Sequence, residues 1–213
     1  MSGKVKLHLI ETIAAVSLIA VPVAFCNAQE VSAPKQNANT KSWKNADFNT
    51  AVPDSKRPRA IRFKNVKGWQ FTDEKELVPA EWRISSDAVA SYEQESEGNY
   101  FIRLKKGYLT QYFLPQTQEK SVLKISFKAR GTGSFHIWTC SYKDKEKSNS
   151  GYESLKDTQK FRKWNLTSKW KTYEFATETI GVPTERVAIR FTVLPKGTLN
   201  LDDVFVSIEP KSK

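Results

Sequence analysis

Two stretches of the chain alternate strictly between apolar and polar positions. Leu123, Ile125, Phe127 and Ala129 are interleaved with Lys124, Ser126, Lys128 and Arg130. Val187, Ile189, Phe191 and Val193 are interleaved with Ala188, Arg190, Thr192 and Leu194. A period of two puts one set of side chains on each face of an extended strand, so both stretches read as strands with one buried face. The same reading predicts strands at residues 61–65, 100–104, 109–113, 135–142 and 171–176. Turn signals stand between them: Lys106-Gly107, Gly131-Thr132-Gly133, Gly181-Val182-Pro183 and Pro195-Lys196-Gly197. No long window carries a helical period. Many short strands with turn punctuation argue for an all-β fold, an antiparallel β-sandwich or barrel.

The last strand breaks its own rule. In TLNLDDVFVSIEP, Leu199 and Leu201 share one face by a count of two, as do Val204, Val206 and Ile208. The two sets are out of phase by one residue, and the change falls at Asp202-Asp203. Such a slip turns side chains to the wrong face unless an extra residue bulges out, so a β-bulge is expected there. Residues 143–163 show no alternation and read as a long polar insertion, and the acidic runs 73–76 and 93–97 read as solvated loops.

The ends of the chain look different. Lys4 and Lys6 precede an apolar run, Thr12 to Val21, too short for the roughly 20 residues a bilayer span needs. Pro22 ends the run, and Cys26-Asn27-Ala28 places small residues where a signal peptidase reads. Residues 1–28 are therefore expected to be a signal peptide cleaved after Ala28, with a secreted, periplasmic or envelope destination. The rival is lipid attachment at Cys26, which the bulky Phe25 before it opposes. Residues 29–57, rich in Asn, Lys and Ser, read as a flexible polar leader with Trp43 and Phe48 loosely held. Residues 58–210 form the predicted domain and 211–213 a tail. No second apolar run suggests a transmembrane span.

Within 58–210, four pieces carry a family resemblance: GNYFIRLKKGYLTQYF, LKISFKARGTGSFHIW, NLTSKWKTYEFA and GTLNLDDVFVSIEP. In this order and spacing they resemble successive strands of carbohydrate-binding modules of the jelly-roll, galactose-binding-like type. The resemblance implies a jelly-roll sandwich with a non-catalytic sugar-binding role. It also implies a structural calcium near the closing strand, with Asp203 as the candidate ligand, since carboxylates with backbone carbonyls suit that ion. The usual partner, an acidic residue just after a first-strand phenylalanine, is missing: Lys64 follows Phe63.

Catalysis finds little support in the residues. Once residues 1–28 are removed, His136 and Cys140 are the sole histidine and cysteine. On one strand they would lie about 13 Å apart, too far for a nucleophile and its base, and zinc sites need more such ligands. Paired carboxylates for glycoside hydrolysis are not excluded by composition, but no hydrolase motif surrounds them, and the expectation is a non-enzyme.

Charge and aromatics carry the rest. The chain has 34 Lys and Arg against 23 Asp and Glu, a net +11, which favours polyanions. For an exported chain that means polysaccharide or an anionic envelope surface rather than nucleic acid; otherwise the basic residues are dispersed, solubilising strand faces. In SFHIWTCSY, parity separates Phe135, Ile137 and Thr139 from His136, Trp138, Cys140 and Tyr142. If the first set is core, Trp138 and Tyr142 form an outward row with His136, and Arg190 joins them if its strand lies in the same sheet. His136, Trp138, Tyr142 and Arg190 are thus the candidate carbohydrate-binding residues. The alternative for Trp138 is packing beneath the 143–163 loop. Trp170 is expected in the core and Trp69 as a cap on the sandwich. The competing function is a structural or adhesive envelope protein that binds other proteins and has no sugar site.

Overall fold

A computed structural model describes residues 45–113, 121–144, 152–177 and 186–210. The strictly alternating segments became long strands, β8 (Ser121–Thr132) and β12 (Arg186–Val193), and their neighbours assemble two facing sheets. One sheet runs β11 (Lys171–Ala176), β8, β13 (Thr198–Pro210), β6 (Asn99–Lys106), β5 (Val89–Ser96) and β2 (Gly68–Gln70). The other runs β10 (Tyr152–Asn165), β9 (Ser134–Asp144), β12, β7 (Tyr108–Phe113) and β4 (Arg83–Ile84). β1 (Ala51–Pro53) pairs with β3 (Leu77–Pro79) at one side. All these pairings are antiparallel except β2 with β5. The fold is the all-β sandwich expected.

The apolar sets meet between the sheets. Phe127 of the six-stranded sheet packs edge-to-face on Phe191 and Phe135 of the five-stranded sheet, at centroid distances of 5.0 and 5.8 Å. All three rings are fully buried. β8 and β9 join through Gly131-Thr132-Gly133. A Cβ at Gly131 (φ +145°) would fall 1.8 Å from the Thr198 carbonyl oxygen, so only glycine fits that crossing.

The bulge in β13 is present. Its register against β8 shifts between Asp202 and Phe205, and Asp203 takes a left-handed φ of 48°. The extra residue brings Leu199, Leu201, Val204, Val206 and Ile208 all to the buried side.

Several expectations are corrected. Residues 61–65 are not a strand: they fall within two 3-10 turns, Arg59–Ile61 and Phe63–Asn65. The buried Asp54 carboxylate explains the second turn, accepting the backbone N–H groups of Phe63 (2.7 Å) and Lys64 (3.2 Å). The polar insertion at 143–163 contributes most of β10, and run 93–97 begins inside β5. The leader ends earlier than residue 57. Phe48 is fully buried and stacks on Trp82 at 4.8 Å, while the Tyr92 hydroxyl donates to the Phe48 carbonyl. Trp69 is buried against Phe63, and Trp170 lies on the outside of the six-stranded sheet over Phe101 rather than in the core. The signal peptide, residues 29–44 with Trp43, and the tail lie outside the described residues.

Candidate functional site

On β9 the faces alternate as expected: Phe135, Ile137, Thr139 and Ser141 are buried inward, and His136, Trp138 and Tyr142 point out, half-buried, while Cys140 on the outward side is buried. β12 is the hydrogen-bonded neighbour of β9, and Trp138 pairs directly with Arg190. The structure thus brings His136, Trp138, Tyr142 and Arg190 onto one surface, the outward face of the five-stranded sheet. Opposite Trp138 the described part of the 143–163 stretch is strand β10, with Phe161 as its cross-strand partner.

Pairing across the sheet adds residues that the sequence reading did not single out. One row runs Phe161, Trp138, Arg190, Thr110 and Arg83. The next runs Lys163, His136, Thr192 and Tyr108. Beyond Cys140 and Ala188, both buried, stand Tyr112 and Tyr142, with ring centroids 6.2 Å apart. Phe161 is 75% exposed, the one large apolar side chain so open among the described residues. The signal for Tyr108 and Tyr112 was in the sequence: in YLTQY they alternate against the core residue Leu109. The signal for Phe161 and Arg83 was not, because it depends on which strands become neighbours.

The arginines of this face are stacked on its rings. The guanidinium carbon of Arg190 lies 4.0 Å from the Tyr108 centroid and 4.7 Å from that of Trp138. Arg83 and Arg186 lie 5.4 and 5.6 Å from the Tyr112 centroid. Such contacts hold a cation by the electron-rich ring face. Burial, then the positive charge of Arg190, lowers the pKa of His136, which favours the neutral imidazole at neutral pH. Burial also pushes the Tyr142 phenol up to about 12, so it stays a hydrogen-bond donor.

Charge divides the two outer faces. On the six-stranded sheet four cations have carboxylate partners: Lys124 with Glu209 (2.6 Å), Lys128 with Asp203 (2.7 Å), Arg130 with Glu95 (2.9 Å) and Arg103 with Glu93 (3.3 Å). On the five-stranded sheet, no Asp or Glu occupies an outward position among the described side chains.

The calcium expectation at Asp203 does not fit this surrounding. Its carboxylate is taken by the Lys128 ammonium, and Asp202 beside it is buried and accepts the Asp203 backbone N–H at 2.7 Å. Lys64 contributes a backbone donor to Asp54 where an acidic ligand was expected. Among the described residues no three His, Cys, Asp or Glu side chains gather as a metal site would require. The bulge and the Lys128 pair account for the aspartates instead.

No protein-family description matches the sequence, and no curated protein matches it. Similarity to solved structures does exist, and most of those reported are carbohydrate-binding modules. The chain is similar to a CBM4 module, at 18% identity and a TM-score of 0.45, over 78% of this chain and 98% of the module. It is similar to TmCBM61 solved with β-1,4-galactotriose, at 16% identity and a TM-score of 0.41, over 61% of this chain and 90% of that one. It is also similar to the enzymatically active domain of tailspike protein 4 from bacteriophage CBA120, at 14% identity and a TM-score of 0.45. That match takes in 61% of this chain but spans only 19% of the tailspike chain.

Proposed function

We propose that this chain is an exported, non-catalytic carbohydrate-binding protein whose ligand, an acidic polysaccharide, lies on the outward face of the five-stranded sheet. The observation that carries the reading is the combination found there: half-exposed and exposed rings (Phe161, Trp138, Tyr108, Tyr112, Tyr142), cations (Arg83, Arg186, Arg190, Lys163), and no carboxylate among the described outward side chains. Sugars present apolar C–H faces to rings and hydroxyl or acidic groups to donors. By analogy with other ring contacts, each stacked ring contributes about 1 kcal/mol. A surface with several cations and no carboxylate among its described outward side chains is a poor match for a neutral apolar partner and a good one for a polyanion.

The test is retention on a panel of neutral and acidic polysaccharides, comparing wild type with a Trp138→Ala/Tyr142→Ala double variant whose fold has been checked. Retention by the wild type and loss in the variant is the expected result. Retention of nothing across a broad panel hands the lead to protein binding, and equal binding by the variant moves the site elsewhere. Export is tested separately, by intact mass: a mature chain starting at Gln29 supports it, and an acylated Cys26 overturns the cleavage.

A further inference from the structure

Arg190 stands apart from the other enclosed arginines. Arg57 donates to the carbonyls of Pro79 and Trp82, Arg62 to those of Arg57 and Ser55, Arg103 to Glu93 and Asn200, and Arg130 pairs with Glu95. Arg190 is half-buried, as Arg62, Arg103 and Arg130 are, yet among the described residues its guanidinium has no carbonyl or carboxylate acceptor. Its Nε is enclosed without a hydrogen-bond partner. What surrounds it is aromatic. Tyr108 comes from β7 and Trp138 from β9, the two strands that flank β12.

A planar cation with a ring on each side is fixed in orientation and partly stripped of water. Its unmet hydrogen-bonding capacity is then directed along its free edge. Desolvating donors without an acceptor is costly, and a charge-assisted bond to an oxyanion recovers more than a neutral one.

We propose that Arg190 is an oxyanion-reading position. Its outer edge donates a pair of hydrogen bonds to the carboxylate or sulfate substituent of a sugar residue. Tyr108 and Trp138 serve as positioning residues that hold the guanidinium plane, and sugar stacking falls to Phe161, Tyr112 and Tyr142. The inference rests on the carbohydrate reading given above, and it changes the role of Trp138 within it from stacking surface to clamp.

The experiment uses the secreted protein with polygalacturonate, its carboxyl-reduced neutral counterpart, and chondroitin sulfate as probes. Four proteins are compared by isothermal titration: wild type, Arg190→Lys, Tyr108→Leu and Phe161→Ala, each with its melting curve recorded. Arg190→Lys keeps the charge but loses the planar fork, so it is expected to weaken binding to the acidic polymers by about tenfold or more and binding to the neutral polymer by a clearly smaller factor. Tyr108→Leu removes a clamp and no charge, and is expected to lose the same discrimination. Phe161→Ala is expected to weaken acidic and neutral polymers by a similar factor. Chondroitin sulfate carries both groups, so binding to it that is lost on desulfation identifies a sulfate, and binding that survives desulfation, together with binding to polygalacturonate, identifies a carboxylate. If Arg190→Lys binds the acidic polymers as wild type does, the position supplies only a point charge and the proposal is overturned. In that event Phe161→Ala still reports whether the carbohydrate face stands. If wild type binds none of the three polymers, the carbohydrate reading falls and this inference with it.

Discussion

At position 202 a carboxyl group is buried beside a second carboxylate, and its protonation is tied to folding. Burial first, and the neighbouring Asp203 charge second, push the Asp202 pKa up to about 7 from 3.8; the Asp203 N–H and Lys128 pull the other way without winning. The folded state therefore holds the proton more tightly than the unfolded chain does. The stability from that proton is present in full below the unfolded value of 3.8 and is lost as pH rises through about 7. A displacement of one pKa unit corresponds to about 1.4 kcal/mol. Asp202→Asn keeps an acceptor for the Asp203 N–H and removes the titration. Thermal melts from pH 4 to pH 8 are expected to show the wild type losing stability relative to this variant, by on the order of 1–3 kcal/mol at the alkaline end; parallel curves would refute the assignment. Asp203 plays the opposite part. It is half-exposed, ion-paired and left-handed, so Asp203→Gly is expected to cost under about 1 kcal/mol, with the relaxed backbone offsetting the lost pair. A chelator is expected to leave the melting temperature where it was, because among the described residues no set of metal ligands gathers around it.

The segment from Asn45 to Thr50 is a clasp rather than a leader. Asn45 bonds the Ala80 carbonyl through Nδ2 and the Thr50 N–H through Oδ1, and the Trp82 indole donates to the Asn45 carbonyl. Val204, just past the β13 bulge, donates its N–H to the Ala46 carbonyl at 2.7 Å. Phe48 fills the space over Trp82, and removing such a ring leaves a cavity. Phe48→Ala is expected to lower the unfolding free energy by about 3–5 kcal/mol in a denaturant titration; a change below about 1 kcal/mol would mean that the segment merely rests on the surface. Nothing in the composition of residues 45–50 announces this, since a single aromatic in a polar run has no period. The elements that were legible, such as β8, β9, β11 and β12, have a core face and a solvent face and so carry the period-two signal. β10 escaped because it lies at a sheet edge: Arg162 and Lys160 occupy inward positions that meet the open side of the sandwich, leaving Trp164 as its apolar marker. The 3-10 turns at residues 59–65 escaped because what bends them is a carboxylate nine residues before Phe63, Asp54. Of the candidate site, the residues on β9 and β12 followed from parity. Tyr108, Tyr112, Arg83 and Phe161 required the strand order, which no local pattern encodes.

At the scale of the molecule, the described side chains carry their charge unevenly: four cations on the six-stranded sheet are ion-paired, whereas no described Asp or Glu faces outward on the five-stranded one. Binding to an acidic polymer is therefore expected to weaken steeply with salt, since exposed charges are screened beyond about 8 Å at physiological ionic strength and about 3 Å at 1 M. Retention measured from low salt to 1 M checks this; retention that does not change would assign the affinity to the rings alone. The ion-paired ladder on the far side has its own consequence. A molecule whose described cations are largely ion-paired on one face and face no described carboxylate on the other is electrically uneven, and it is expected to meet a charged gel or wall in a preferred orientation rather than at random. Landed on its five-stranded sheet, it turns Lys124 and Lys128 toward the bulk solvent and Lys163 toward the surface. Acetylation of the adsorbed protein should then modify the first two as fast as in free solution and spare the third. The coated surface would display at those spots the ion-paired ladder of the far sheet in place of polymer charge.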